Sequence, residues 1–141
     1  VDCPLRFWMA DTRHCRVTQE HDYLFVRILD VVDALEARTY AVADDLVLDV
    51  VDPFRPSTSG CYRLVVDDAG QASCVRLDGG GADRPTDLRL TIDHLGSAYL
   101  GGIRLDQLAR AHLVEECTHG AAARAAAVFA TPTAPMCHTR F

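Results

Sequence analysis

The 141 residues contain no lysine and no asparagine; all 14 basic side chains are arginine, set against 16 aspartates and only 4 glutamates. Two readings account for this usage: codon preference in a GC-rich genome, and the bidentate pairing with carboxylate that arginine makes and lysine does not. Basic runs are missing as well, none exceeding two adjacent residues, and the net charge is −6. A chain of that sign repels phosphate backbones, so no nucleic acid is expected as a partner and a cationic one is favoured. No apolar run approaches the ~20 residues that a membrane span needs. The longest uncharged stretch, from Ala125 into the C-terminal tail, is broken by Pro132 and Pro135. C-x-x-C pairs are absent too. The six cysteines, Cys3, Cys15, Cys61, Cys74, Cys117 and Cys137, are scattered. A chain rich in Val, Leu and Ala builds a core without covalent staples, so they read as reduced thiols of a cytoplasmic protein. No secretory leader is visible, and the chain opens at Val1, from which a missing N-terminal part is expected.

What is present is one domain's worth of chain at the ordinary globular balance, 49% hydrophobic and 24% charged. Residues 1–20 read as a lead-in, an apolar patch from Leu5 to Ala10 followed by a polar run. Tyr23 to Leu29 is a β-rich run, and Asp30 stands where the N-cap of a short helix, Val31 to Arg38, belongs. Leu46 to Val51 is apolar on both faces, the signature of a central strand, closed by Asp52-Pro53. Cys61–Val66 and Ala72–Leu77 flank Asp67-Asp68-Ala69-Gly70, which predicts a hairpin. A Gly-rich loop, 78–85, leads to a strand from Asp87 to Ile92 with one buried and one wet face. Asp93 then caps a helix that turns Leu95 and Tyr99 inward and ends at Gly101-Gly102. Further helices are expected around Leu105–Ala109 and Ala121–Phe129. Strands followed by helices indicate an α+β fold with helices packed on one sheet face. Leu48, Val50, Leu64, Val66, Leu90, Ile92, Leu95 and Tyr99 occupy the inward phases and are expected to be buried.

Three constellations carry potential chemistry. His112, Glu115, Glu116, Cys117 and His119 form the densest set of metal-ligand types, and imidazole with carboxylate suits zinc or iron. Their spacing matches neither H-E-x-x-H nor a cysteine pair, so the group reads as a solvated polar corner between two helices, and no metal is assigned. Cys137-His138 are adjacent, whereas a nucleophile and its base come from separate elements. Gly79-Gly80-Gly81 lacks the strand-to-helix context of a phosphate cradle. The residues alone describe an α+β domain without an evident catalytic centre.

Several segments in order resemble a known family. They are Leu24-Phe25-Val26-Arg27-Ile28-Leu29-Asp30-Val31, Ala34-Leu35-Glu36-Ala37-Arg38 with Tyr40, Leu46 to Asp52, and Asp93-His94-Leu95-Gly96-Ser97-Ala98-Tyr99-Leu100-Gly101-Gly102, whose part from Leu95 to Gly102 is the most specific. Leu105 to Ala109, Phe129-Ala130 and the final Phe141 extend the match. Together they resemble the C-terminal domain of the enhanced intracellular survival family of GNAT-type N-acetyltransferases. The resemblance implies a sterol carrier protein type-two fold, a sheet of about five strands with helices on one face, over residues 22–141. Residues 1–21 resemble the end of a second, degenerate acetyltransferase-like copy. The parent enzyme is then expected to use acetyl-CoA on a cationic primary amine, of aminoglycoside or lysine type, as a homo-oligomer in which this domain contacts its own upstream domains. The family's pyrophosphate loop and general-acid tyrosine have no counterpart here, so this chain alone is expected to bind no cofactor and to be inactive. One role transfers: the family ends in a phenylalanine whose α-carboxylate acts as general base, which assigns Phe141 as the catalytic residue. An α-carboxyl titrates at about 3.3–3.7 in water, and burial under an aromatic ring would raise it towards a useful base. The alternative implied by the same fold is a lipid- or sterol-binding carrier with an apolar tunnel.

Overall fold

The computed structural model describes residues 5–16, 18, 25–77, 84–133 and 135. Among these, five strands form one mixed sheet: β1 (Asp44–Val51), β2 (Gly60–Val66), β3 (Ala72–Leu77), β4 (Leu88–Thr91) and β5 (Glu115–Glu116), in the order β3-β2-β1-β4-β5. β1 is the central strand, antiparallel to β2 and parallel to β4. The helices are α1 (Leu5–Trp8), α2 (Val31–Glu36), α3 (Ile92–Tyr99), α4 (Leu105–Arg110) and α5 (Ala121–Val128). No helix of the described residues is long and apolar enough to cross a membrane.

Period-two alternation places Leu46, Leu48 and Val50 of β1 beside Leu64 and Tyr62 of β2 and Leu88 and Leu90 of β4, all on one face and all buried. Val31 and Leu35 of α2, Ile92, Leu95 and Ala98 of α3, Leu105 of α4 and the alanine-rich side of α5 close over that face to make one core. Seven of the eight residues expected inside are buried, and Tyr99 is half-buried at the core's margin. The opposite face carries ion pairs: Arg63 and Arg84 both bind Asp45, and Arg89 bridges Asp49 (2.8 Å) and Glu115 (3.1 Å).

The local signals read from sequence form as expected at two turns. Asp30 accepts the N–H of Asp33 at 3.0 Å and starts α2. Asp67 accepts the N–H groups of Ala69 and Gln71, and Gly70 takes φ +75° to complete the β2–β3 hairpin. The end of β1 is held by Asp52, 1% exposed, whose two carboxylate oxygens accept from Nη2 of Arg27 (2.9 and 2.8 Å), while Oδ1 also accepts the N–H groups of Phe54 and Arg55.

Four expectations change. Residues 25–29, the described part of the expected first strand, join no ladder. The carbonyl of Val26 instead packs on α3 at Gly96, so the segment crosses a helix and its β propensity is overridden by that contact. The N-cap of α3 is Thr91, not Asp93: β4 runs straight into the helix, leaving the extended Thr91 to accept the N–H of His94, with Asp93 in the first turn. Asp87, expected on a wet face, is buried, because its carboxylate is used by the N–H of Val47 (2.9 Å) and by Arg124 (3.4 Å). The polar corner contains the edge strand β5, where Glu115 lies opposite Arg89.

Candidate functional site

Arg38 follows α2 by two residues and places its guanidinium among three aromatic rings. The ring centroids of Tyr40, Phe129 and Tyr99 lie at 4.5, 4.9 and 5.8 Å. Its N–H groups donate to the carbonyls of Tyr99 and Phe129, the latter at 3.2 Å, with a longer bond of 3.4 Å to Thr39. The rings are themselves fixed. The hydroxyl of Tyr40 donates to the carbonyl of Leu35 at 2.7 Å, that of Tyr99 to the carbonyl of Ala34 at 2.8 Å, and Tyr40 meets Phe129 edge to face at 5.6 Å. The hairpin turn adds a support, the N–H of Tyr40 donating to the carbonyl of Gly70 at 3.0 Å. Burial draws the pKa of Arg38 down, partly offset by the two tyrosines, and pushes the Tyr40 hydroxyl well up. At neutral pH the site is a cation among neutral rings, a stable cation–π arrangement.

Beyond Phe129, Thr131 and Pro135 lie against Gly101 and Gly102. Gly101 has φ +78°, and a Cβ there would stand 2.6 Å from the side chain of Thr131 and 3.1 Å from the carbonyl of Phe129. A Cβ on Gly102 would stand 2.9 Å from the ring of Pro135. The two glycines therefore provide a close seat for the root of the C-terminal tail, and Arg38 ties that root to the end of α3. Chemically the cluster positions chain; both of its phenols are already engaged as donors.

Phe141, assigned above as catalytic, lies outside the described residues, as do Cys137, His138 and Gly79 to Gly81. The five residues of the polar corner take separate roles. Glu115 pairs with Arg89, and Glu116 accepts the N–H groups of Gly120 (2.7 Å) and Ala122 (3.3 Å) at the start of α5. His112, at φ +58°, Cys117 and His119 are all exposed. Among the described residues no three His, Cys, Asp or Glu side chains gather as a metal site. A hollow of about 200 Å3 opens beside the start of α2 and contains Arg55 and Arg76. Both guanidiniums are spent on carbonyls, Arg55 on Leu29 and Arg76 on Ser57 and Ser59.

Arg38 gives no sign in the sequence of being a site residue. A single arginine two positions before a tyrosine has no periodicity, and its partners lie 61 and 91 residues further on. The Asp93–Gly102 segment is visible as the most specific stretch, and the structure explains its composition. Gly96 admits the Val26 carbonyl, Tyr99 supplies a ring and a carbonyl to Arg38, and Gly101-Gly102 seat the tail.

Residues 31–138 match the family described as "Sterol carrier protein domain". An uncharacterized N-acetyltransferase of Streptomyces coelicolor is 42% identical over 135 residues, covering 96% of this chain and 31% of that protein. The N-acetyltransferase Eis of Mycobacterium tuberculosis is 38% identical over 112 residues, 77% of this chain and 25% of that protein. The crystal structure of Eis1 from Mycobacterium abscessus superimposes with a TM-score of 0.83 at 33% identity, covering all of this chain and 34% of that one. A GCN5-related N-acetyltransferase from Anabaena variabilis gives 0.64 at 29% identity, covering 77% and 26%. The chain thus spans about a third or less of the proteins it matches. With the five-stranded sheet covered by helices on one face, these findings show that the chain belongs to the sterol carrier protein domain family, in the form carried by the enhanced intracellular survival type of N-acetyltransferases.

Proposed function

We propose that this chain is the C-terminal domain of an acetyl-CoA-dependent N-acetyltransferase acting on primary amines of aminoglycoside or lysine type. It contributes assembly, and the terminal carboxylate of Phe141 serves as general base in the active site formed by the upstream domains. Residues 1–21 belong to the end of the preceding acetyltransferase-like unit. The observation that carries this reading is the seat of the tail: Arg38 and Gly101-Gly102 give the segment after α5 a defined root, which an arm reaching into a neighbouring domain requires. Phe7, Trp8, Phe25 and Phe54 are all at least 75% exposed, a burden of aromatic surface suited to contact with further domains or copies. The net charge of −6 suits a cationic acceptor.

Carriage of a lipid or sterol draws no support from the packing. The sheet face beneath the helices is filled by Leu35, Leu46, Leu48, Leu64, Leu88 and Leu95, each with no exposed surface. The deciding experiment is made on the full-length enzyme. Amidating Phe141 or appending a few residues is expected to lower turnover about 100-fold, the scale of losing a general base, while acetyl-CoA still binds. Unchanged turnover in a normally folded, normally assembled variant refutes the carboxylate's role.

A further inference from the structure

We propose that the hollow beside the start of α2 is an oxyanion site, in which Arg55 and Arg76 take the phosphate group of inorganic phosphate or of a small phosphate ester. The site is separate from the C-terminal tail and does not depend on the role given above to Phe141.

Charge pairing singles these two side chains out. Eight arginines each meet a carboxylate, and Arg38 lies among aromatic rings. Among the described residues, Arg55 and Arg76 meet only main-chain carbonyls. Arg55 donates to Leu29 at 3.3 Å, and Arg76 to Ser57 at 2.8 Å and Ser59 at 2.6 Å. A carbonyl orients a guanidinium without neutralising it, and each guanidinium has more N–H groups than these bonds use. Two cations without a carboxylate therefore share one hollow on a chain of net charge −6.

The walls are fixed before any ligand arrives. Arg76 lies across Gly60, where a Cβ would stand 2.9 Å from its Nε, and beside the Tyr62 ring, 5.9 Å from its centroid. The Tyr62 hydroxyl donates to the carbonyl of Thr58 at 2.6 Å, and the main-chain N–H of Arg55 to the buried Asp52 at 3.0 Å. Planar donors held in place match the oxygens of a phosphate, and preorganisation keeps affinity that mobile side chains lose. Thr58 adds a hydroxyl. It lines the hollow at 7% exposure, and among the described residues its Oγ1 has no hydrogen-bond partner, although it is not sealed from solvent. A hydroxyl so placed favours a polar guest.

Asp30 brings the one opposing charge to the lining. It pairs with neither arginine, and its Oδ1 accepts the N–H of Asp33 at 3.0 Å. The volume of about 200 Å3 lies below the ~300 Å3 at which pockets for whole drug-sized molecules begin. It suits one charged group with a few carbons, for which Leu29 and Val32 supply an apolar wall.

The test is calorimetric titration of the full-length protein with inorganic phosphate and with propyl phosphate at constant ionic strength. Acetyl-CoA is present in excess, so that phosphate-binding groups of the upstream domains are occupied. Binding is expected with a Kd of about 1 mM or tighter, weakened at least ~10-fold by Arg76→Gln and by Arg55→Gln. Asp30→Asn keeps the helix cap, because asparagine caps as well as aspartate, and removes the opposing charge. It should tighten binding by about 3- to 10-fold. Stronger binding of propyl phosphate identifies an ester as the ligand, and equal binding the free ion; both uphold the site. No binding up to about 10 mM, an affinity unchanged in Arg55→Gln, or weaker binding in Asp30→Asn overturns the proposal. If Arg76→Gln unfolds through loss of its loop contacts, Arg55→Gln decides, since Arg55 is exposed and gives up one long hydrogen bond.

Discussion

Arg124 of α5 grips both carboxylate oxygens of Asp44 at the start of β1, with Nε at 3.0 Å from Oδ2 and Nη2 at 2.7 Å from Oδ1. The same guanidinium reaches the buried Asp87 just before β4, so one side chain ties the last helix to two strands. The Arg124 hydrogen bond, working against burial, holds the Asp44 carboxyl below its ordinary pKa. A depressed folded-state pKa contributes stability above the unfolded value of about 3.9 and loses it as pH falls through the folded value. Arg124→Ala should therefore destabilise the domain by about 1–2 kcal/mol at pH 7, a figure discounted for partial exposure. Urea midpoints measured from pH 7 downward should show the gap to the wild type closing below about pH 4. A gap that stays constant across that range would count against the ion pair.

Leu90 is 3% exposed on the core face of β4, beside Val50 in the parallel register. Leu90→Ala should cost about 2–5 kcal/mol, the transfer term plus the cavity it leaves. Urea unfolding gives this directly, and a loss under about 1 kcal/mol would mean that β4 does not face the core.

The glycines of the chain should fail for different reasons. At Gly96 a Cβ would stand 2.7 Å from the Val26 carbonyl, main chain that has no free end to swing away. Gly96→Ala should therefore destabilise by about 1–3 kcal/mol through overpacking. At Gly120 the φ of +82° is unfavourable for alanine but nothing lies within 4 Å, so Gly120→Ala should cost only about 1 kcal/mol. Thermal melts of the two variants rank them, and the reverse order would refute the crossing of residues 25–29 over α3.

The thiols should divide by burial. Burial, with smaller contributions from Glu36 and Asp30, pushes the pKa of Cys74 up to about 12, and its side chain is on the core face. Cys61 is also buried; burial raises the pKa of both Cys61 and Cys117, but only Cys117 is exposed to reagent. Iodoacetamide at neutral pH should label Cys117 in the native protein and reach Cys61 and Cys74 only after denaturation, as read by peptide mass mapping. Comparable native rates at all three would contradict the packing.

Local chemistry is legible in the amino-acid sequence by itself. The β1 run, the hairpin around Asp67–Gly70 and the Asp30 cap each depend on residues within a few positions of one another, and each forms as expected. The resemblance to the enhanced intracellular survival family is legible in the Asp93–Gly102 segment for the same reason, since one short stretch carries most of its constraints. Tertiary contacts decide the rest. Whether residues 25–29 join the sheet is settled by Val26 meeting Gly96, some seventy positions away, and the cap of α3 by where β4 ends. The parallel pairing of β1 with β4 and the two-residue β5 are non-local ladders that no periodicity announces. Arg38 is the extreme case. Its residue type and its neighbours in sequence are those of an ordinary solvated arginine, and only the convergence of Tyr40, Tyr99 and Phe129 half-buries it and gives it two helix ends to hold.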